Sequence, residues 1–310
     1  LLNKITFAAI TAPDSIALLK KFRLIQFAST RKLAFQMDSV RLSTAVVYGG
    51  IDYDTDTSTL IPKAGNFIKQ DEFSKSTVSY GTTETRAGFR YLPGTLKEAE
   101  MVTNKLKVKG IDTRFISGSG ATEESFIALS GQNAPSIIHL STHGFYFPDI
   151  ERSESTGKML PSVTAESRFR NSADPLLRSG LLMAGANQAW QGLCTTEDED
   201  GILTAKEVSI MNLINTQLVV LSACQTGQGD VKGNEGLEGL QRGIKIAGAR
   251  FLLMSLWEVP DRETTEFMNS FYQNLLSFNN IHDAFRETQL YMSNQYKNEP
   301  FKWASFVLVE

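Results

Sequence analysis

Three runs in this chain are too apolar to lie half exposed: Pro135-Ser-Ile-Ile-His-Leu-Ser-Thr142, Gln217-Leu-Val-Val-Leu-Ser222 and Ala249 to Leu256. A strand with one wet face alternates apolar and polar residues, whereas a continuous apolar run needs cover on both faces. Helical patterns separate these runs. They cover Leu96–Lys109 with Thr95 as N-cap, Thr122–Leu129 with Thr122 as N-cap, Gly236–Ala247, Arg262–Leu276 and Ile281–Met292. Further strands are expected at Thr44–Tyr48, Ile111–Ile116 and Ala304–Val309. Alternation of buried strands with helices predicts an open α/β sandwich with a mostly parallel sheet of about six strands.

The flanking segments are less regular. Ile5–Ile10 and Arg23–Ala28 read as short strands around a helix-like Ser15–Phe22. Residues 54–86 read as a long loop, and 148–200 as loops with a hairpin-like segment. The acidic run Glu197-Asp198-Glu199-Asp200 reads as a solvated loop. Residues 1–43 form an N-terminal strand and helix part and 44–310 the domain proper, together one compact unit.

The 310 residues suffice for a large core, and 42% apolar with 21% charged residues is ordinary for a globular chain. A net charge of −3 argues against a nucleic-acid partner, which usually needs a basic surface. No apolar run is long enough for a membrane span. The start at Leu1 has neither initiator Met nor signal-peptide pattern, so the sequence reads as part of a longer protein. Two cysteines, Cys194 and Cys224, make no disulfide framework and suit a reducing cytoplasm.

In a parallel sheet, chemistry gathers at the carboxyl ends of strands. One strand here runs into Thr142-His143-Gly144 and another into Ala223-Cys224-Gln225-Thr226-Gly227. The two residues are 224 − 143 = 81 apart, so only neighbouring strands can bring them together. A thiolate is a strong nucleophile, and an imidazole can activate it or protonate a leaving amine. Gly144 offers an unencumbered backbone N–H. With the Cys224 N–H it makes a candidate oxyanion hole. The bland alternative is a small core Cys and a hydrogen-bonded structural His.

The strings IIHLSTHGF (137–145) and LVVLSACQTGQG (218–229) resemble the two catalytic motifs of CHAT-domain peptidases, relatives of caspases, gingipains and separase. LRSGL (177–181), DGILTAKEV (200–208), EGL (235–237) with AGA (247–249), SLWEVPD (255–261) and WASF (303–306) fit further motifs of that family in order. The resemblance covers the whole chain, least closely at 52–90. It implies a caspase-like fold, a Cys224 nucleophile with His143 as partner, an oxyanion hole at Gly144 and Cys224, and no metal or organic cofactor. It implies a dedicated protein substrate, a repeat or sensor region N-terminal to this sequence, and work in prokaryotic defence or programmed cell death.

In relatives the strand bearing Trp257 lines the substrate cleft, and nearby acidic residues hold a basic side chain. Glu258, Asp261, Asp230 and Asp52 are the acidic candidates, favouring Lys or Arg before the scissile bond. Against that, Asp261 reads equally as a helix N-cap and Glu258 as solvated. A loop at 148–175 containing Lys158 suits self-cleavage.

Three rivals stand beside the peptidase. His139 and His143 make an HxxxH spacing, but without the Glu of a zinc protease and on a strand. Gly227-Gln228-Gly229 mimics a phosphate loop, but position 232 is Lys. The third is a non-catalytic or autoinhibited caspase-like interaction module.

Overall fold

The computed structural model describes residues 6–11, 16–29, 40–56, 88–147, 165–193, 200–222 and 236–310. Cys224, Cys194, Asp230, Lys158 and the glycines 227, 229 and 233 lie outside the described residues.

Six strands form the main sheet: β1 (Thr44–Ile51), β2 (Asp112–Gly118), β3 (Ile137–Leu140), β7 (Leu218–Leu221), β8 (Phe251–Ser255) and β9 (Phe306–Val309). Their order is β2-β1-β3-β7-β8-β9, parallel throughout except for the antiparallel β9 edge. The α/β sandwich with six strands, mostly parallel, is therefore the observed fold. Strands β3 and β7 are neighbours, with His139 paired to Val220 and Leu140 to Leu221. The strand motifs carrying His143 and Cys224 thus end side by side.

Alternate residues along each strand feed two separate cores, which is the period-2 rule acting on a sheet covered on both faces. Val47, Ile137, Val220, Leu253 and Leu308 pack against α2 (Pro93–Val108), α8 (Asp261–Phe278) and α9 (Ile281–Gln295). Tyr48, Ile138, Val219, Leu252 and Val309 pack toward α3 (Glu123–Ile127), α6 (Ala205–Ile210) and α7 (Gly236–Ile246). A second, antiparallel sheet of β4 (Gly144–Tyr146), β5 (Ser179–Leu182) and β6 (Ile202–Thr204) lies on that second side. With α4 (Ala165–Arg170) and α5 (Ala186–Trp190) it occupies much of what the sequence suggested was loop. Its strands are three or four residues long, too short to show a period.

Several expectations are corrected. The first described segment holds a 3-10 turn at Phe7–Ala9 and one short helix, α1 (Leu18–Lys21), rather than strands. Residues 23–28 make only an isolated parallel bridge, Gln26 to Val309, extended by hydrogen bonds between Glu310 and both Gln26 and Ala28. Apolar content there serves packing against β9, not a ladder.

Helix α2 starts at Pro93, not at Leu96, because proline at the first position costs no hydrogen bond and presets φ. Thr95 is therefore inside the helix rather than its N-cap. Its hydroxyl donates to the Leu92 carbonyl at 2.7 Å and accepts the Gly50 N–H at 3.0 Å. Asp261 likewise is the first residue of α8, with Pro260 as N-cap, and makes no side-chain cap bond. Asp200 is not solvated: it is 5% exposed, pairs with Arg168 at 2.8 Å and accepts the Ile202 N–H. Thr122 does cap α3, accepting the Ser125 N–H at 3.2 Å.

Candidate active site

His143 follows β3 and leads directly into β4. It is 4% exposed, wedged between the rings of Tyr53 and Phe89 at centroid distances of 5.1 and 5.3 Å. Its Nε2 lies 2.8 Å from the Arg90 carbonyl. A carbonyl only accepts, so Nε2 carries the proton, and the neutral ring presents Nδ1 as a lone-pair acceptor. Nδ1 is buried and has no partner among the described residues. Burial lowers the His143 pKa below its usual 6.5, against opposing pulls from the Arg90 carbonyl and the Asp261 charge. The neutral imidazole is thus the prevailing form at neutral pH.

A hydroxyl chain fixes the backbone at this point. Tyr53 is raised to about 12, chiefly by burial, so it remains a phenol. The Thr142 hydroxyl donates to the Leu182 carbonyl, so the Tyr53 O–H donates to Thr142 Oγ1 at 2.9 Å. The Tyr53 oxygen in turn accepts the His143 N–H at 3.3 Å. Asn187 in α5 holds the Arg90 side of the histidine. Its amide accepts the Phe89 N–H at 2.6 Å and donates to the Phe89 carbonyl at 3.0 Å and to Asp54 at 2.7 Å. A Cβ on Gly88 would meet that amide at 2.8 Å, which accounts for glycine there.

Gly144 is placed by register. Leu182 N–H donates to the His143 carbonyl and Phe147 N–H to the Arg178 carbonyl, so odd residues of β4 face β5. The Gly144 N–H and C=O consequently point away from β5.

Next to Thr142, the ends of β3 and β7 and the first turns of α2 and α8 border a recess. Glu98, Ser141, Ser222, Glu258 and Asp261 contribute to its wall. Of the substrate-contact candidates, Glu258 and Asp261 therefore meet at one place. Trp257 is not in that wall; its indole N–H donates to the Phe301 carbonyl at 2.8 Å. Asp52 is turned elsewhere, with its carboxylate accepting the Asp54 N–H at 3.2 Å. His139 and His143 do not converge. His139 sits on β3 with its ring between Glu98 and Tyr272, each at 3.0 Å.

Sequence reasoning passed over Tyr53, Phe89, Asn187, Ser141 and Ser222, and read Glu98 only as the residue three after a Thr95 N-cap. Of these, Glu98 carried a further signal. It stands four residues before Val102 on the buried stripe of α2, where a charge needs a reason.

A family model described as CHAT domain matches residues 1–310. The chain belongs to the CHAT family. Two curated relatives, tetratricopeptide repeat protein 28 of Mus musculus and of Homo sapiens, are each 33% identical over 109 residues. That stretch is 35% of this chain and 4% of either relative. Among solved structures, this CHAT domain is similar to the Arg-specific cysteine proteinase gingipain R, with 10% identity and a TM-score of 0.43, over 87% of this chain and 48% of that one. The complex of the Porphyromonas gingivalis RgpB pro- and mature domains gives 10% identity and a TM-score of 0.42, over 87% and 49%. No described helix of this CHAT domain is long and apolar enough to cross a membrane.

Proposed function

We propose that this CHAT domain is a cysteine endopeptidase with Cys224 as nucleophile and His143 as its acid–base partner. The observation that carries the reading is the state of His143. It is neutral, its Nε2–H is committed to the Arg90 carbonyl, and its Nδ1 is buried and has no partner among the described residues, at the end of the strand next to β7. Cys224 stands two residues beyond Ser222, a length of chain no longer than about 7 Å.

In the proposed cycle His143 Nδ1 takes the thiol proton and the Cys224 thiolate attacks the peptide carbonyl carbon. The oxyanion accepts the Gly144 N–H that β5 leaves unused, together with the Cys224 N–H. His143 then gives its proton to the departing amine as the C–N bond breaks. Water, deprotonated by the same nitrogen, cleaves the resulting thioester and releases the acid. No step in this cycle calls on a metal or organic cofactor.

The substrate is a protein, with the acidic residues at the recess favouring a basic residue before the scissile bond. The curated relatives are named for tetratricopeptide repeats, which supports a helical-repeat region as the neighbour of a domain like this one.

The test is digestion of a mixed peptide library by the chain, beside Cys224→Ala and His143→Ala. Cleavage should fall at least about 10³-fold in each variant. Equal cleavage by wild type and Cys224→Ala would show that another nucleophile, or a contaminant, does the work.

A further inference from the structure

Residues 88–92 lead into α2 without joining either sheet. Among the described residues Phe89 makes no hydrogen bond to another backbone group. Its ring is nevertheless one of the two that enclose His143, and the carbonyl of the next residue, Arg90, accepts the imidazole N–H. What holds this segment is the side chain of Asn187. Its Oδ1 accepts the Phe89 N–H and its Nδ2 donates to the Phe89 carbonyl, the pair of bonds that an antiparallel strand would exchange with it.

The same residue reaches the opposite face of the imidazole. The Asn187 backbone N–H donates to the Tyr53 carbonyl at 3.0 Å, and the Gly185 N–H donates to the Asp52 carbonyl at 3.1 Å. Gly185, at φ 84, turns the chain into α5 there, a left-handed conformation that glycine adopts without strain. The Tyr53 ring, the Phe89 ring and the Arg90 carbonyl are thus all tied to one turn of helix.

Asn187 is 4% exposed. For stability alone alanine would serve better, since it is the stronger helix former and buries no polar group. Both amide protons and the amide oxygen of Asn187 are engaged, the remaining proton going to Asp54 Oδ1 at 2.7 Å. That acceptor decides which end of the amide is the nitrogen, and so leaves Oδ1 facing the Phe89 N–H. For an acid–base partner the tautomer matters as much as the place. An imidazole protonated on Nδ1 offers no acceptor there, and which nitrogen carries the proton is set by what the ring bonds to.

We propose that Asn187, oriented by Asp54, is a positioning residue for His143: by holding the Phe89–Arg90 backbone it fixes the imidazole as the Nε2–H tautomer and keeps Nδ1 as the acceptor. The inference rests on the peptidase reading for what Nδ1 is to do. It adds two residues on which the rate depends although neither takes part in proton or acyl transfer.

Nitrogen-15 NMR of the imidazole rings reads the tautomer apart from any cleavage. The chain has three histidines, and His143→Gln identifies the resonances of interest. At pH 8, where the lowered pKa keeps the ring neutral, the wild type should show His143 protonated on Nε2, and Asn187→Ala should show the two tautomers mixed. Peptide cleavage should lose about ten-fold in kcat in Asn187→Ala and about three-fold in Asp54→Ala, with KM held within about two-fold. Asp54→Asn, whose amide oxygen still accepts from Asn187, should recover most of the loss seen in Asp54→Ala. Circular dichroism reports whether Asn187→Ala folds. If it does not, Asp54→Ala, at an exposed position, decides by the same tautomer mixing. A His143 tautomer unchanged in the folded variants overturns the proposal, and equal losses in Asp54→Ala and Asp54→Asn overturn the part given to Asp54. Mixed tautomers in the variants of a chain that cleaves nothing leave the positioning of the ring standing and remove the peptidase. Cleavage that Cys224→Ala abolishes, with the tautomer unmoved in Asn187→Ala, does the reverse.

Discussion

Replacing Glu123 by Gln should stabilise this protein at neutral pH, which is unusual for a change at a 5% exposed position. Glu123 is the first residue of α3, and its carboxyl is raised from 4.5 to about 9. Burial is the main cause. The charges of Glu207, Asp200 and Glu124 add to it, and the Gly201 N–H works against it. Oε2 has no partner among the described residues.

The folded pKa is raised, so the contribution to stability is complete below about pH 4.5 and is lost as pH climbs toward 9. At pH 7 the folded carboxyl holds a proton that the unfolded chain has released. The cost is set by the gap from 4.5 to 7, at about 1.4 kcal/mol per unit, hence about 3.4 kcal/mol. The folded value itself drops out as long as it lies above 7. A Gln amide carries no such proton cost but needs its own hydrogen bonds, which offsets about 1 kcal/mol. The expected gain is therefore about 2 kcal/mol at pH 7, and none at pH 4.5. Urea unfolding of both proteins across pH 4.5–8 measures it. With a slope of roughly 3 kcal/mol per molar, the midpoint should rise by about 0.7 M at pH 7. A gain that is absent, or equal at all pH values, refutes the reasoning.

Two further outcomes follow from the groups around His143. Tyr53→Phe leaves the His143 N–H without its acceptor and removes a donor to Thr142, so it should cost about 2 kcal/mol in urea unfolding and lower peptidase rate together with stability. Because burial lowers the His143 pKa, the unfolded chain takes up its proton first as pH falls through 6.5. Stability from this group is intact above 6.5 and declines from 6.5 down to the folded value, so the difference in urea midpoint between wild type and His143→Gln should shift in favour of the variant below pH 6.5. A difference constant from pH 8 to 5 would contradict the neutral assignment. The acid limb of the peptidase rate should fall below 6.5 for the same reason.

Much of this molecule is legible in residue order. Continuous runs such as IIHL and LVVL can be satisfied only between two layers, so they imply a parallel sheet covered on both faces. The THG and ACQTG strings at the ends of two such runs mark a candidate site that needs those runs to be neighbours, and β3 and β7 are neighbours. Short strands escaped, because β4, β5 and β6 offer too few residues for a period to appear, and their pairing depends on partners 20 to 37 residues away. Cap positions also escaped: Thr95 and Asp261 carry the right side chains, but the proline before each set the helix start. What tertiary structure alone decided is the environment of each group. The Nδ1 of His143, without a partner among the described residues, depends on where the Arg90 carbonyl falls, and the raised Glu123 on burial first and on Glu207 and Asp200 second. Sequence fixes which groups titrate or donate. The strength and state of each depend on distance and desolvation, which arise only when segments remote in the chain are packed together.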